Sequence, residues 1–184
     1  MFLVLAVVLA LATVPLAGGR IGRLAEIRLR WPALLFAALA LQMVIVAVVP
    51  DWNDALLRAV HLASYAMLCA FLWVNRRIPR IWIVAVGGAL NLVAITVNAG
   101  VMPAGPAAMR SAGLASNAGK FTNSGLLDHP RLLFLGDIWA IPRAWPLANV
   151  FSIGDVIIAI GVFAVIHVAC GARGAARELA EPSL

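Results

Sequence analysis

The chain has 184 residues, 64% of them hydrophobic and only 12% charged, and its mean hydropathy is +1.00. A water-soluble domain carries about 25% charged residues, so these figures argue against an ordinary soluble fold and make lipid the expected solvent for most of the sequence. The net charge of +6 is concentrated in arginines between apolar runs, which speaks for membrane orientation rather than a phosphate-binding face, so no nucleic-acid partner is expected.

The first apolar run, 1–18, is free of charge and closes at Gly18-Gly19-Arg20. A secretory signal has its positive charge ahead of the apolar stretch. Here Arg20, Arg23, Arg28 and Arg30 follow it, so the run reads as a retained first helix entering from outside. The second run, 32–50, opens on Pro32, which fits a first helical turn because the N–H it lacks would have no partner there. It ends at Asp51-Trp52-Asn53-Asp54; the third, 55–74, ends at Asn75-Arg76-Arg77-Ile78-Pro79-Arg80. The fourth, 81–101, is stopped by Gly100 and Pro103, and the fifth, 152–169, leads through Gly171 into a polar tail, 170–184.

Each run approaches the roughly 20 residues needed to cross about 30 Å of hydrocarbon, where backbone amides must be satisfied within their own segment. The expected fold is therefore all-α: a polytopic transmembrane bundle of about five helices, with residues 1–184 forming one membrane domain. A long, partly interfacial outer loop, 102–150, joins the last two helices. Its first part, through Ser124, is rich in Gly, Ala, Ser and Asn and reads as flexible. From His129 to Leu147 it is too apolar for free solution and too short to cross, so it is expected on the outer interface.

Arginines resist translocation. Arg20, Arg23, Arg28 and Arg30, then Arg76, Arg77 and Arg80, then Arg173 and Arg177 all fall on one side of a five-helix threading. That side is the cytoplasm of a bacterial inner membrane, which puts the amino terminus outside and the carboxyl terminus inside. The short turn holding Asp51 and Asp54 faces out. The six tryptophans lie near expected helix ends or in the outer loop, as an interfacial aromatic belt requires.

Polar residues are few enough to take singly. Ser152 and Asp155, three apart at the start of the last helix, form a capping box pattern, with Gly154 between them permitting close backbone approach. Asp155 is either a cap or a functional carboxylate, and the two roles are compatible. A second Gly-Asp pair, Gly136-Asp137, would share an outer cavity with Asp155 and His129 if the chain brings them together. Arg58, His61 and Tyr65 recur at three and four residues along one helical stripe. They read as local pairing of Asp54 with Arg58 plus snorkelling, or as a pocket for an anionic group. Gly87, Asn91 and Asn98 share a face of the fourth helix and read as helix packing, as does Gln42; His167 suits a helix terminus.

Cys69 and Cys170 have no metal-ligand spacing and are not expected to pair. No phosphate-loop or nucleophile motif occurs, so neither cofactor nor metal is expected and no catalytic residue is assigned.

The run Asn98-Ala99-Gly100-Val101-Met102-Pro103, His129, Leu135-Gly136-Asp137 and Phe151-Ser152-Ile153-Gly154-Asp155 together resemble a bacterial membrane family catalogued as the domain of unknown function numbered 5317. The similarity takes in Gly19-Arg20 and Gln42. Where the family has Val-Ser after Met-Pro this chain has Ala104-Gly105, and Leu132-Leu133 stands where a Thr is usual. The resemblance implies a small multi-pass protein whose matched residues gather on the outer side, and it supplies no activity.

Two functional readings follow. In one, the chain is a scaffold or accessory subunit that contacts lipid and other membrane-protein subunits, with Asp137, Asp155, Asn98 and His129 closing a lid over the bundle. In the other it handles a small ligand, ion or proton, or acts on a lipid-linked substrate, using the same carboxylates with Arg58, His61 and Tyr65. Convergence of these groups on one cavity separates the two.

Overall fold

The computed structural model describes residues 2–47, 53–114 and 124–172, and is mostly helical. Helices α1 (Phe2–Leu16), α2 (Pro32–Ala47), α3 (Asp54–Val74), α4 (Ile81–Val97), α5 (Pro106–Ala112) and α6 (Ile153–Ala169) follow in order. All but α5 fall on the five apolar runs. The turn residues Asp51 and Trp52, the loop cation Lys120 and the tail arginines Arg173 and Arg177 lie outside the described residues.

By length and composition, α3 alone of the described helices is sufficient to cross a membrane. Helices α1, α2, α4 and α6 have 15, 16, 17 and 17 residues, about 22–26 Å at 1.5 Å per residue. The expectation of a full-length fourth helix fails at Asn98. There Ala99 and Gly100 take positive φ angles of 55° and 91°, and the α-helix ends at Val97, four residues early.

Glycine packs α4 on α6. A Cβ at Gly87 would lie 2.5 Å from the carbonyl oxygen of Gly154, and one at Gly161 2.6 Å from the backbone nitrogen of Val84. Small residues let two helix backbones touch, so that dispersion contact runs along the whole interface. Polar ties hold the remaining helices. Gln42 of α2 donates to the Ser64 hydroxyl of α3 at 3.0 Å, and His167 of α6 lies 3.0 Å from Thr13 Oγ1 of α1.

The described residues between α4 and α6 form a folded lid whose short strands depart from the expected all-α fold; of the stretch expected to be flexible, 102–114 is folded, and 115–123 lies outside the described residues. Strand β1 (Met102–Pro103) runs parallel to β2 (Ser124–Gly125), and β3 (Trp139–Ile141) pairs antiparallel with β4 (Asn149–Phe151), with Trp139 opposite Phe151. Between the sheets α5 starts on Pro106 and stops at Gly113, whose φ of 72° suits a residue without a side chain. Ala108, Met109 and Ala112 of α5 bury against Ala104 and Val150. Alanine-rich composition mimics a linker, yet here those alanines are the side chains small enough to pack α5 flat on the sheet.

Candidate functional site: a lidded polar cavity

At the start of α6 the Ser152 hydroxyl accepts from the Asp155 N–H at 3.0 Å, and the Asp155 carboxylate accepts from the Ser152 N–H at 3.2 Å. This reciprocal cap satisfies amides that a helix start leaves without partners. Asn91 of α4 then closes a ring, its amide donating to Asp155 Oδ1 and its carbonyl accepting from the Ser152 hydroxyl, both at 2.8 Å. Gly154 is what lets Asn91 in, because a side chain there would overlap its amide group. Asp155 is thus both a cap and an inter-helix partner.

The end of α4 is tied to the lid and to α3 together. Asn98 accepts from the Arg131 N–H and donates to the Arg131 carbonyl, both at 2.8 Å, and donates to Ala94 at 2.7 Å. Two residues on, Gly100 packs so closely on α3 that a Cβ would stand 2.9 Å from Arg58 Cβ. Its carbonyl lies 3.0 Å from His61 Nδ1. A carbonyl only accepts, so Nδ1 carries a proton. Tyr65 meets His61 edge to face, with centroids 5.4 Å apart.

Asp137 is pinned through its backbone, its N–H donating to the Pro103 carbonyl at 2.9 Å and its carbonyl accepting from the Gly105 N–H at 3.0 Å. Gly136 must be glycine, since any side chain would strike the Pro103 carbonyl. The Asp137 carboxylate is 4% exposed and accepts a short hydrogen bond from the Ser124 hydroxyl. Burial pushes its pKa up to about 6; the Ser124 hydroxyl pulls down and the nearby Asp155 charge pushes up further.

These groups line one cavity of about 350 Å³. Asp137, Asp155, His61 and Tyr65 converge there, joined by Asn91, Gln42, Ser124 and Asn149, with Met102 and Ile95 among its apolar walls. Neither Arg58 nor Asn98 lines it, although both brace its frame. His129 is exposed on the lid and takes no part. The Asp54 side chain lies outside the described residues, so its pairing with Arg58 does too. Gly100, Pro103, Gly136, Ser152 and Gly154 shape backbone rather than supply chemistry. No group of three His, Cys, Asp or Glu able to hold a metal ion occurs among the described residues.

Asn91 and Gln42 read from sequence as packing residues and turn out to line the site as well. Their signal was an amide within an apolar run, costly to bury unless a partner waits. Ser124 and Asn149 carry no such mark, because loop polar residues are common.

The site is therefore a polar cavity between helix ends, bordered on one side by a lid built on short strands. The chain belongs to the family of unknown function DUF5317, whose model matches residues 26–167. Over 100 residues, 54% of this chain, it is 30% identical to an uncharacterised protein of Thermotoga maritima; the aligned part covers 58% of that relative's length. No solved structure matches.

Proposed function

We propose that the protein is a multi-pass protein of the bacterial cytoplasmic membrane that binds a small organic cation in the lidded cavity, on the outer side. The carrying observation is convergence: two carboxylates from separate elements meet in one cavity with an imidazole, a phenol and amides, and among the described residues no Arg or Lys lines it. Its volume falls in the range of small-molecule sites. An ammonium group would hydrogen-bond Asp137 and Asp155 and lie against Tyr65, replacing the proton that burial favours on Asp137.

The membrane reading draws support from apolar side chains facing outward over a broad face of α1, including Val4, Leu5, Val8 and Leu9, and from outward Phe36 and Met43 on α2. Trp31, Trp73 and Trp82 are exposed beside the arginine clusters, and Trp139 and Trp145 on the lid, as two interfacial belts require. Short helices are accommodated by local thinning of the bilayer and by snorkelling arginines.

A scaffold role accounts for the Asp155 cap and the Asn98 tie but leaves the cavity without a purpose. The test is thermal unfolding of detergent-purified protein with methylammonium, ethanolamine and putrescine as probes. At pH 8 at least one amine is expected to raise the melting temperature, with a smaller effect at pH 5, where protonated Asp137 competes. No shift with any amine, or an equal shift in Asp137→Asn, overturns the proposal.

A further inference from the structure

A second cavity, of about 430 Å³, lies at the other end of the bundle between the segment after α1, the end of α3 and the end of α6. Arg23, Arg28, Arg30 and Arg77 line it, together with apolar Val165 and Val168 of α6, and among the described residues no carboxylate does. Two of the arginine clusters, far apart in sequence, thus meet around one space.

Their meeting is built rather than incidental. Asn75, 3% exposed at the end of α3, donates to the Arg30 carbonyl at 2.9 Å and accepts from the Arg30 N–H at 2.8 Å, while also donating to Phe71 at 2.8 Å. The backbone of Arg30 is thereby clamped beside Arg77. On the other flank the Arg20 N–H donates to the Cys170 carbonyl at 2.9 Å, holding the same segment to the end of α6. Arg23 Nε stands 3.8 Å from Glu26, an exposed pair of little strength. Arg76 turns away, stacking its guanidinium over the Trp73 ring at 4.6 Å. A charge bias for orientation requires only that arginines sit on one side; it does not require a buried asparagine to gather them over an apolar wall.

The geometry points to a binding site for an anionic glycerophospholipid, its phosphodiester held by Arg28, Arg30 and Arg77 and its acyl chains against Val165 and Val168. Planar guanidinium forks match phosphate oxygens two at a time, and basic pockets between helix ends at the cytoplasmic face take lipid head groups in this way. The inference rests on the membrane reading and is independent of the amine cavity.

Protein purified in neutral detergent is melted with phosphatidylglycerol, phosphatidylcholine or inorganic phosphate, and examined by native mass spectrometry. Phosphatidylglycerol is expected to raise the melting temperature by several degrees and to remain bound, with phosphatidylcholine and phosphate doing neither. Arg28→Gln/Arg30→Gln/Arg77→Gln should lose that response while melting normally without lipid. If that variant fails to fold, Arg77→Gln alone, at an exposed side chain, should at least halve the response. Equal stabilisation by phosphatidylcholine, the full shift from phosphate alone, or an undiminished response in the variants overturns the site. Release of the chain from membranes by alkaline carbonate would instead defeat the membrane reading, and is scored separately.

Discussion

Asp137 carries a carboxyl group that folding prefers to keep protonated, because the fold removes it from water and sets it near Asp155. A folded pKa of about 6 against an ordinary 3.8 means the native state binds the proton more tightly than the unfolded chain does. The stability this contributes is whole below the unfolded value and is lost as pH rises through about 6. Melting temperature in detergent should therefore fall between pH 4 and pH 7, and Asp137→Asn should flatten that part of the profile. Ser124→Ala removes the hydrogen bond that lowers this pKa, and should move the falling limb to higher pH. Asp155→Asn should cost about 1 kcal/mol by weakening the cap, read as a lower denaturant midpoint at unchanged slope; an unchanged midpoint would mean that Asp155 contributes little to the native fold.

Between elements, the α4–α6 contact depends on glycine on the facing side and nowhere else on that helix. Gly87→Ala should destabilise by about 1–3 kcal/mol, since backbone atoms of α6 occupy the space. Gly88→Ala, where nothing lies within 4 Å, should be neutral or slightly stabilising. Paired unfolding measurements test the contrast, and equal effects would refute backbone contact as its cause. The lid has its own anchor. Asn98→Ala leaves the N–H and carbonyl of Arg131 without their amide partner, so amide exchange in residues 130–138 should accelerate while exchange in α6 stays slow. From sequence, the positions of the five long helices were legible, though not the early end of α4, because apolar runs and their Gly, Pro and Arg stops are local signals. Helix α5 was not, because Gly105, Ala108 and Ala112 look like linker until a sheet is present for the alanines to lie on.

For the whole molecule, the described arginine clusters at one end and the lid with its carboxylates at the other set the expected threading. In a Cys69→Ser background, a cysteine placed at exposed His129 should react with a membrane-impermeant maleimide in intact cells, while one at Arg77 should react only after permeabilisation. The reverse pattern would invert the orientation and place the amine cavity inside.

What the sequence by itself determined is whatever depends on neighbours along the chain: five apolar helices, the Ser152–Asp155 cap, the arginine clusters and membership of its family. Only the tertiary structure decided that Asn91 would complete that cap from another helix, that Gly136 would seat Asp137 on the Pro103 carbonyl, and that Asn75 would clamp Arg30 beside Arg77. Periodicity and capping are written over three or four residues. Which distant polar groups come to face one another is fixed only when helix backbones close on their glycines and the lid chooses its strand partners.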